Sequence, residues 1–216
     1  MKRPLAKILV ITIVALLGAC RSVPWPRGPV LIQTPSGAEQ GVNTPYGIVF
    51  LGNTAKDGYC DVTMFFGDGP SIEPGRIRTV NEQLCRVDID IKAPASEVSF
   101  TYPAPDDELL ISVVEDTDIE YYKTRLAKRD AAGTVVEVPG SFPIAAAATG
   151  APLYRMEDGR YRLIGLINGL VRYNDSSGAA RAVLTYMGPR DLVPFTLQNH
   201  DQGRPLPPPR REDILR

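Results

Sequence analysis

Apolar residues recur along this chain mostly at every second position, in short runs bounded by glycine, proline and aspartate. That period belongs to half-buried strands, because successive side chains of an extended backbone point to opposite faces. In Arg86–Ile91, Val87, Ile89 and Ile91 share one face while Asp88 and Asp90 take the other, which reads as a strand with a wet side. Similar runs predict strands over Gly47–Gly52, Cys60–Phe66, Arg76–Val80 and Glu97–Tyr102. The continuous apolar run Leu109–Val114 predicts a strand buried on both faces.

Three hairpins follow. Glu120–Lys128 and Thr134–Val138 flank Arg129–Gly133, and Leu170–Tyr173 and Ala180–Tyr186 flank Asn174–Gly178. Between them, Pro152–Met156 and Arg160–Ile167 flank Glu157-Asp158-Gly159, where Asp-Gly supplies the positive φ of a tight turn. Asp118–Lys128 also fits a helix, with Ile119, Tyr122 and Leu126 on one side, but its tyrosines and threonine favour a strand. No internal repeat stands out. Successive strands with Gly and Pro turns predict an all-β fold, a single mainly antiparallel β-sandwich or β-barrel over residues 46–196.

Both ends break the pattern. Residues 21–45 hold five prolines and little periodicity, which reads as a tether with at most a short strand at Val30–Gln33. Residues 197–216 carry a proline run and mixed charges, too little apolar surface to offset the entropy of ordering, and read as a disordered tail. Residues 1–19 join Lys2, Arg3 and Lys7 to the apolar run Ile8–Leu17 and the small residues Gly18 and Ala19, the three parts of a secretory signal peptide. The run is about half of the ~20 residues that span a bilayer.

This leader ends in Leu17-Gly18-Ala19-Cys20, which resembles the lipobox of bacterial lipoproteins. The resemblance implies that Cys20 becomes the mature N-terminus, acylated on its sulfur and usually its nitrogen, with the lipid bilayer as its partner. Two or more acyl chains make a stable anchor. Arg21 and Ser22 follow, rather than the aspartate that favours inner-membrane retention in enteric bacteria, so the expected location is the outer membrane of a cell envelope. Trp25, close to this anchor, suits either the lipid interface or packing on the domain.

Composition adds three limits. A length of 216 residues suits one domain with tails. The leader holds three basic residues and no acid, so its loss takes the net charge from −1 to −4 and leaves no electrostatic case for nucleic acid. With Cys20 lipidated, Cys60 and Cys85 form an even pair in an oxidising compartment, and a Cys60–Cys85 disulfide is expected. Such a loop would contribute roughly 3.5 kcal/mol in the chain-entropy model. The alternative is two buried free thiols.

The sharpest chemical motif is Ala148-Thr149-Gly150-Ala151-Pro152-Leu153-Tyr154, followed by Asp158-Gly159-Arg160 and Leu163-Ile164-Gly165-Leu166-Ile167. It resembles the stretch around the nucleophile of trypsin-like serine proteases, where Ser-Gly-x-Pro-Leu/Val precedes a hairpin and a strand of the form Leu-Val-Gly-Ile. Ala180–Met187 then matches the closing strand and Leu192–Phe195 the start of the terminal helix, and Asp106-Asp107-Glu108-Leu109-Leu110 resembles the segment carrying the triad aspartate. The resemblance spans residues 104–196 and implies a trypsin-like barrel, with Thr149 at the nucleophile position and Asp107 as the acid. The same residues also read as a plain hairpin whose Gly and Pro serve the turn.

The chemistry falls short of that family. Threonine replaces serine, and its β-branched hydroxyl is restricted in χ1. A hydroxyl nucleophile needs a base, yet no histidine occurs between residues 21 and 199, and His200 lies in the expected tail. Lys56, Lys92, Lys123 and Lys128 are the basic alternatives, with no spacing that marks one as buried and neutral. Glu115-Asp116-Thr117-Asp118-Ile119-Glu120 alternates carboxylates as some calcium loops do, but it lacks the loop glycine, and Ala127 stands where the bidentate glutamate belongs. No metal site, cofactor or phosphate loop is expected. The expected function is a membrane-anchored envelope lipoprotein that binds a protein partner or assists assembly, with an unconventional trypsin-like hydrolase as the alternative.

Overall fold

The computed structural model describes residues 24–52, 58–66, 69–89, 93–116, 118–127, 135–143 and 148–196. The leader, Cys20, Asp90, His200 and the C-terminal tail lie outside them.

Twelve strands follow one another: β1 (Pro29–Thr34), β2 (Gly37–Thr44), β3 (Gly47–Leu51), β4 (Gly58–Phe66), β5 (Gly69–Thr79), β6 (Leu84–Asp88), β7 (Leu109–Glu115), β8 (Asp118–Thr124), β9 (Val135–Glu137), β10 (Pro152–Glu157), β11 (Arg160–Asn174) and β12 (Ala180–Met187). A 3-10 helix over Pro189–Leu192 leads into a helical turn at 193–196. The all-β expectation is met, and so is the preference for a strand at Asp118. Among the described residues no helix is long and apolar enough to cross a membrane.

The first six strands close into a barrel, β1-β2-β3-β6-β5-β4, and the other six form one sheet, β8-β7-β10-β11-β12-β9. The second sheet curls until its edges meet. Leu126 bridges Val136, the Ala127 N–H reaches the Val135 carbonyl at 2.9 Å, and the Glu137 N–H reaches the Arg125 carbonyl at 2.9 Å. Closure removes the unpaired edges that an open sheet exposes. Val30, Ile32, Ile48, Phe50, Val62, Met64 and Ile77 fill the first barrel, and Leu109, Ile111, Val113, Leu153, Ile164 and Ile167 lie in the core of the second. A third cluster, including Val42, Leu51, Leu110, Tyr154, Leu163 and Leu166, draws on strands of both.

The expected tether is corrected over most of its length. Residues 29–44 are two strands of the first barrel, with Val30, Ile32 and Val42 buried. Proline and polar content hid an inward alternation. The turns flanking β2 share the pattern Thr-Pro-x-Gly, at Thr34-Pro35-Ser36-Gly37 and Thr44-Pro45-Tyr46-Gly47, a short repeat that periodicity did not bring out. In each, the threonine hydroxyl donates to the glycine carbonyl, at 3.0 and 2.8 Å, and accepts the N–H two residues on, at 3.1 Å in both. Both glycines hold positive φ, 141° and 112°, which side chains with a Cβ rarely adopt.

Three smaller corrections follow. Glu97–Tyr102 makes no strand, only an isolated parallel bridge from Val98 to Leu163. Arg160–Ile167 and Leu170–Tyr173 are one strand, because the register shift between Ile167 and Gly169 absorbs the break within β11. Asp88 is not on a wet face: its carboxylate sits between Arg78 at 2.6 Å and Arg86 at 2.9 Å.

Cys60 and Cys85 are buried and not joined to each other, so the expected disulfide is absent and the alternative of two buried thiols stands. The register explains why. Cys60 pairs with Gly75 and Cys85 with Thr79, on opposite sides of β5. Four residues along a strand separate them by about 13 Å, well beyond the ~7 Å Cα limit for a bridge.

Candidate functional site

The Thr149 loop connects into β10 through a tight turn. Gly150 has φ +88°, and a Cβ there would stand 2.5 Å from the Gln40 carbonyl oxygen, so the second barrel touches the first at backbone distance. The Gly150 N–H donates to the Ile167 carbonyl at 2.7 Å, and the Ala151 N–H to the Ala148 carbonyl at 3.1 Å. An oxyanion site needs backbone N–H groups free to converge on a developing charge. The two that follow Thr149 are already engaged; of the two that a trypsin-like site uses, at Thr149 and Ala147, the latter lies outside the described residues. Among the described residues the Thr149 hydroxyl has no hydrogen-bond partner. Of the alternative bases, Lys56, Lys92 and Lys128 lie outside those residues, and Lys123 is an exposed ammonium paired with Glu108 at 3.2 Å.

Asp107 does not approach Thr149. β10 runs antiparallel to β7, with Leu153 opposite Ile111 and Arg155 opposite Leu109, and the Met156 N–H reaches the Glu108 carbonyl at 3.1 Å. Asp107 is therefore level with Glu157, while Thr149 lies beyond the other end at Pro152. Five strand residues make this separation about 16 Å. The Asp107 carboxylate accepts the Ala104 N–H at 2.7 Å and stands 3.5 Å from the buried Arg155 guanidinium. Arg155 also pairs with Glu157 and donates to the Tyr102 carbonyl at 3.1 Å. These contacts tie the stretch that joins the barrels to β10. The two residues that the protease resemblance singled out are thus held apart, one in a turn and the other in a structural ion network.

The carboxylate alternation at 115–120 is the β7–β8 turn, with Asp116 at φ 51°. Among the described residues no group of three His, Cys, Asp or Glu side chains is placed to hold a metal ion.

What the geometry offers instead is an edge. β11 pairs with β10 only through Leu166, beyond which the Ala148–Ala151 turn contacts Ile167. From Gly169 to Asn174 its described partner is β12 alone. Val171 and Tyr173 are exposed large apolar side chains on this arm. A groove of about 570 Å³ runs beside it, lined by Arg125, Glu137, Tyr173, Asp175 and Arg181 among others. Two ion pairs shape the rim, Arg125 with Glu137 at 2.7 Å and Arg181 with Asp175 at 3.0 Å. The Asp175 carboxyl is held well below the ordinary range, first by the Ser177 hydroxyl, then by Arg181 and backbone N–H groups. Sequence reading placed a hairpin here. It missed that the strand outruns its neighbour, because that depends on β10 being only six residues long.

No family model and no curated protein matches the chain. Among solved structures it is similar to the MamO protease domain from Magnetospirillum magneticum, with a TM-score of 0.53 at 12% identity, covering 82% of this chain and 97% of that one. It also matches a human pathogenic astrovirus serine protease at a TM-score of 0.47 and 15% identity, over 76% of this chain and 91% of the other. At such identities the first likeness speaks for the fold alone, a two-barrel fold of the trypsin-like protease kind.

Proposed function

We propose that this chain puts the fold of a trypsin-like protease domain to use in binding rather than catalysis, anchored to a bacterial cell envelope through an acylated Cys20. One observation carries the reading. In a chain without histidine between residues 21 and 199, Thr149 and Asp107 stand at opposite ends of the β7–β10 ladder, with Asp107 engaged by Arg155. A triad works through contact between nucleophile, base and acid, and these two residues cannot belong to one.

The binding element we assign is the arm of β11 from Gly169 to Asn174, whose one partner among the described residues is β12. Its alternate backbone groups face away from β12, so an extended segment of a protein partner can add to it by main-chain hydrogen bonds, with specificity from side-chain grooves alongside. A second barrel supplies a rigid support for such an edge at no cost in added ordering.

Two measurements on intact envelopes test this. A photoreactive amino acid at Val171 is expected to crosslink one defined envelope protein, and the same probe at the exposed Glu82 far along the first barrel is not. A fluorophosphonate probe, which phosphonylates an activated hydroxyl and releases fluoride, is expected to leave the protein unlabelled. Labelling that disappears in Thr149→Ala would overturn the binding reading and establish the hydrolase alternative.

A further inference from the structure

The N-terminal arm ahead of β1 is fastened to both barrels. The Tyr121 hydroxyl on β8 donates to the Pro26 carbonyl at 3.1 Å, the Ser96 hydroxyl donates to the Arg27 carbonyl, and the Asn43 N–H donates to the Gly28 carbonyl at 2.7 Å. At the head of this arm Trp25 stacks on Tyr121, ring centroids 4.7 Å apart and planes within 19°. The indole stays 53% exposed. Indoles favour the headgroup region of a bilayer, where an apolar ring and a polar N–H are both accommodated.

The length of chain between anchor and domain decides what covers that ring. Five residues lead from Cys20 to Trp25, a reach of at most about 18 Å at ~3.6 Å per residue. A compact domain of this size is about 40 Å across. The segment cannot wrap to the far side, so whatever holds Cys20 must lie on the face that bears Trp25.

Resting on the reading of Cys20 as lipidated, we infer that the Trp25–Tyr121 pair is a membrane foot, seated among lipid headgroups, which fixes the orientation of the domain on the bilayer. β8 faces the lipid. In the circular order of the second barrel β11 stands three strands from β8 in either direction, so its free arm points away from the membrane, towards a partner in the aqueous space.

The chain has a single tryptophan, which makes its fluorescence a report on this site alone. The full acylated protein is reconstituted into vesicles of phosphatidylethanolamine and phosphatidylglycerol that carry a spin label either near the headgroup or at the chain end. The shallow label is expected to remove about half of the emission and the deep label little, as for an interfacial indole. In Trp25→Phe combined with Val171→Trp, the new indole on β11 is expected to be quenched by neither. Protein that floats with the vesicles while Trp25 escapes both labels would overturn the foot and leave the anchor standing, as would equal quenching at position 171. Protein that does not float at all would overturn the anchor and the foot with it.

Discussion

The side-chain amide of Gln40 on β2 and the backbone of Val114 on β7 exchange two hydrogen bonds: the amide donates to the Val114 carbonyl at 3.1 Å and accepts the Val114 N–H at 2.9 Å. Gln40 is only 4% exposed, so the amide does for Val114 what a neighbouring strand would do, across the contact between the two sheets. Buried backbone groups without partners are costly, which makes this polar residue a structural requirement at the barrel junction. Replacing it by alanine is expected to cost about 2–4 kcal/mol, because two buried groups lose their partners. Gly150→Ala presses a Cβ against the Gln40 carbonyl at φ +88°, and it is expected to destabilise as well. Both act at one contact, so the double variant should lose less than the sum of the singles in urea unfolding. Full additivity would show that the junction does not couple them.

In a protein acylated at Cys20 as proposed, Cys60 and Cys85 are expected to titrate as two thiols once denatured and to resist thiol reagents in the native state. Burial, with Asp61 adding to it, pushes the Cys60 thiol up to about 12. A raised thiol pKa means the folded state holds its proton where the unfolded state, near 9, has lost it. This contribution is complete below pH 9 and disappears as pH rises towards 12, with a slope of about 1.4 kcal/mol per pH unit. Burial pushes the fully buried Tyr154 phenol in the same direction. Urea midpoints at pH 8 and pH 10.5 check the sign: stability should fall, and fall less in Cys60→Ala. A mass consistent with a 60–85 disulfide would refute the free pair.

Arg155 is buried among Asp107, Glu157, Ser99 and the Tyr102 carbonyl. Removing it takes a partner from Asp107 and from Glu157, the latter keeping Arg162 at 3.2 Å, and Arg155→Ala is expected to cost about 3 kcal/mol, the lower end for a buried pair. Asp107→Asn keeps the turn acceptor and loses one longer ion pair at partial exposure, so about 1 kcal/mol or less is expected. Amide exchange at Ser99 and Thr101 should quicken in the arginine variant. If Asp107→Asn proves the more damaging of the two, the carboxylate has a role beyond the turn and this network.

Cys20→Ala tests the proposed anchor independently of the fold. Loss of the sulfur removes the acylation site, so the expected outcomes are a retained precursor or a soluble secreted form, with no palmitate incorporated in metabolic labelling. Unchanged processing and membrane attachment would refute lipidation at this residue.

The hairpin at Glu157-Asp158-Gly159 was legible because Asp-Gly is local chemistry: the turn has φ 51° at Asp158 and 75° at Gly159. The same holds for the buried run of β7 and for the strand at Asp118. Residues 29–44 were not legible, because Gln40, Asn43 and Thr44 look like loop residues until their partners in other segments are known. Their hydrogen bonds reach Val114, the Ala93 and Pro94 carbonyls, and the Thr44-Pro45-Tyr46-Gly47 turn. Thr149 and Asp107 were singled out by local resemblance to trypsin-like motifs. Their separation depends on the direction of β10 against β7, which no local motif states.

By itself the sequence determined what short-range chemistry controls: strands from a two-residue period and turns from glycine and aspartate. Only the tertiary structure decided which strands are neighbours. That choice placed β5 between Cys60 and Cys85, took Asp107 away from Thr149, and left the arm of β11 with β12 as its one partner among the described residues. Each is a matter of register between segments distant in the chain, and register is set by how whole faces bury against one another rather than by any residue alone.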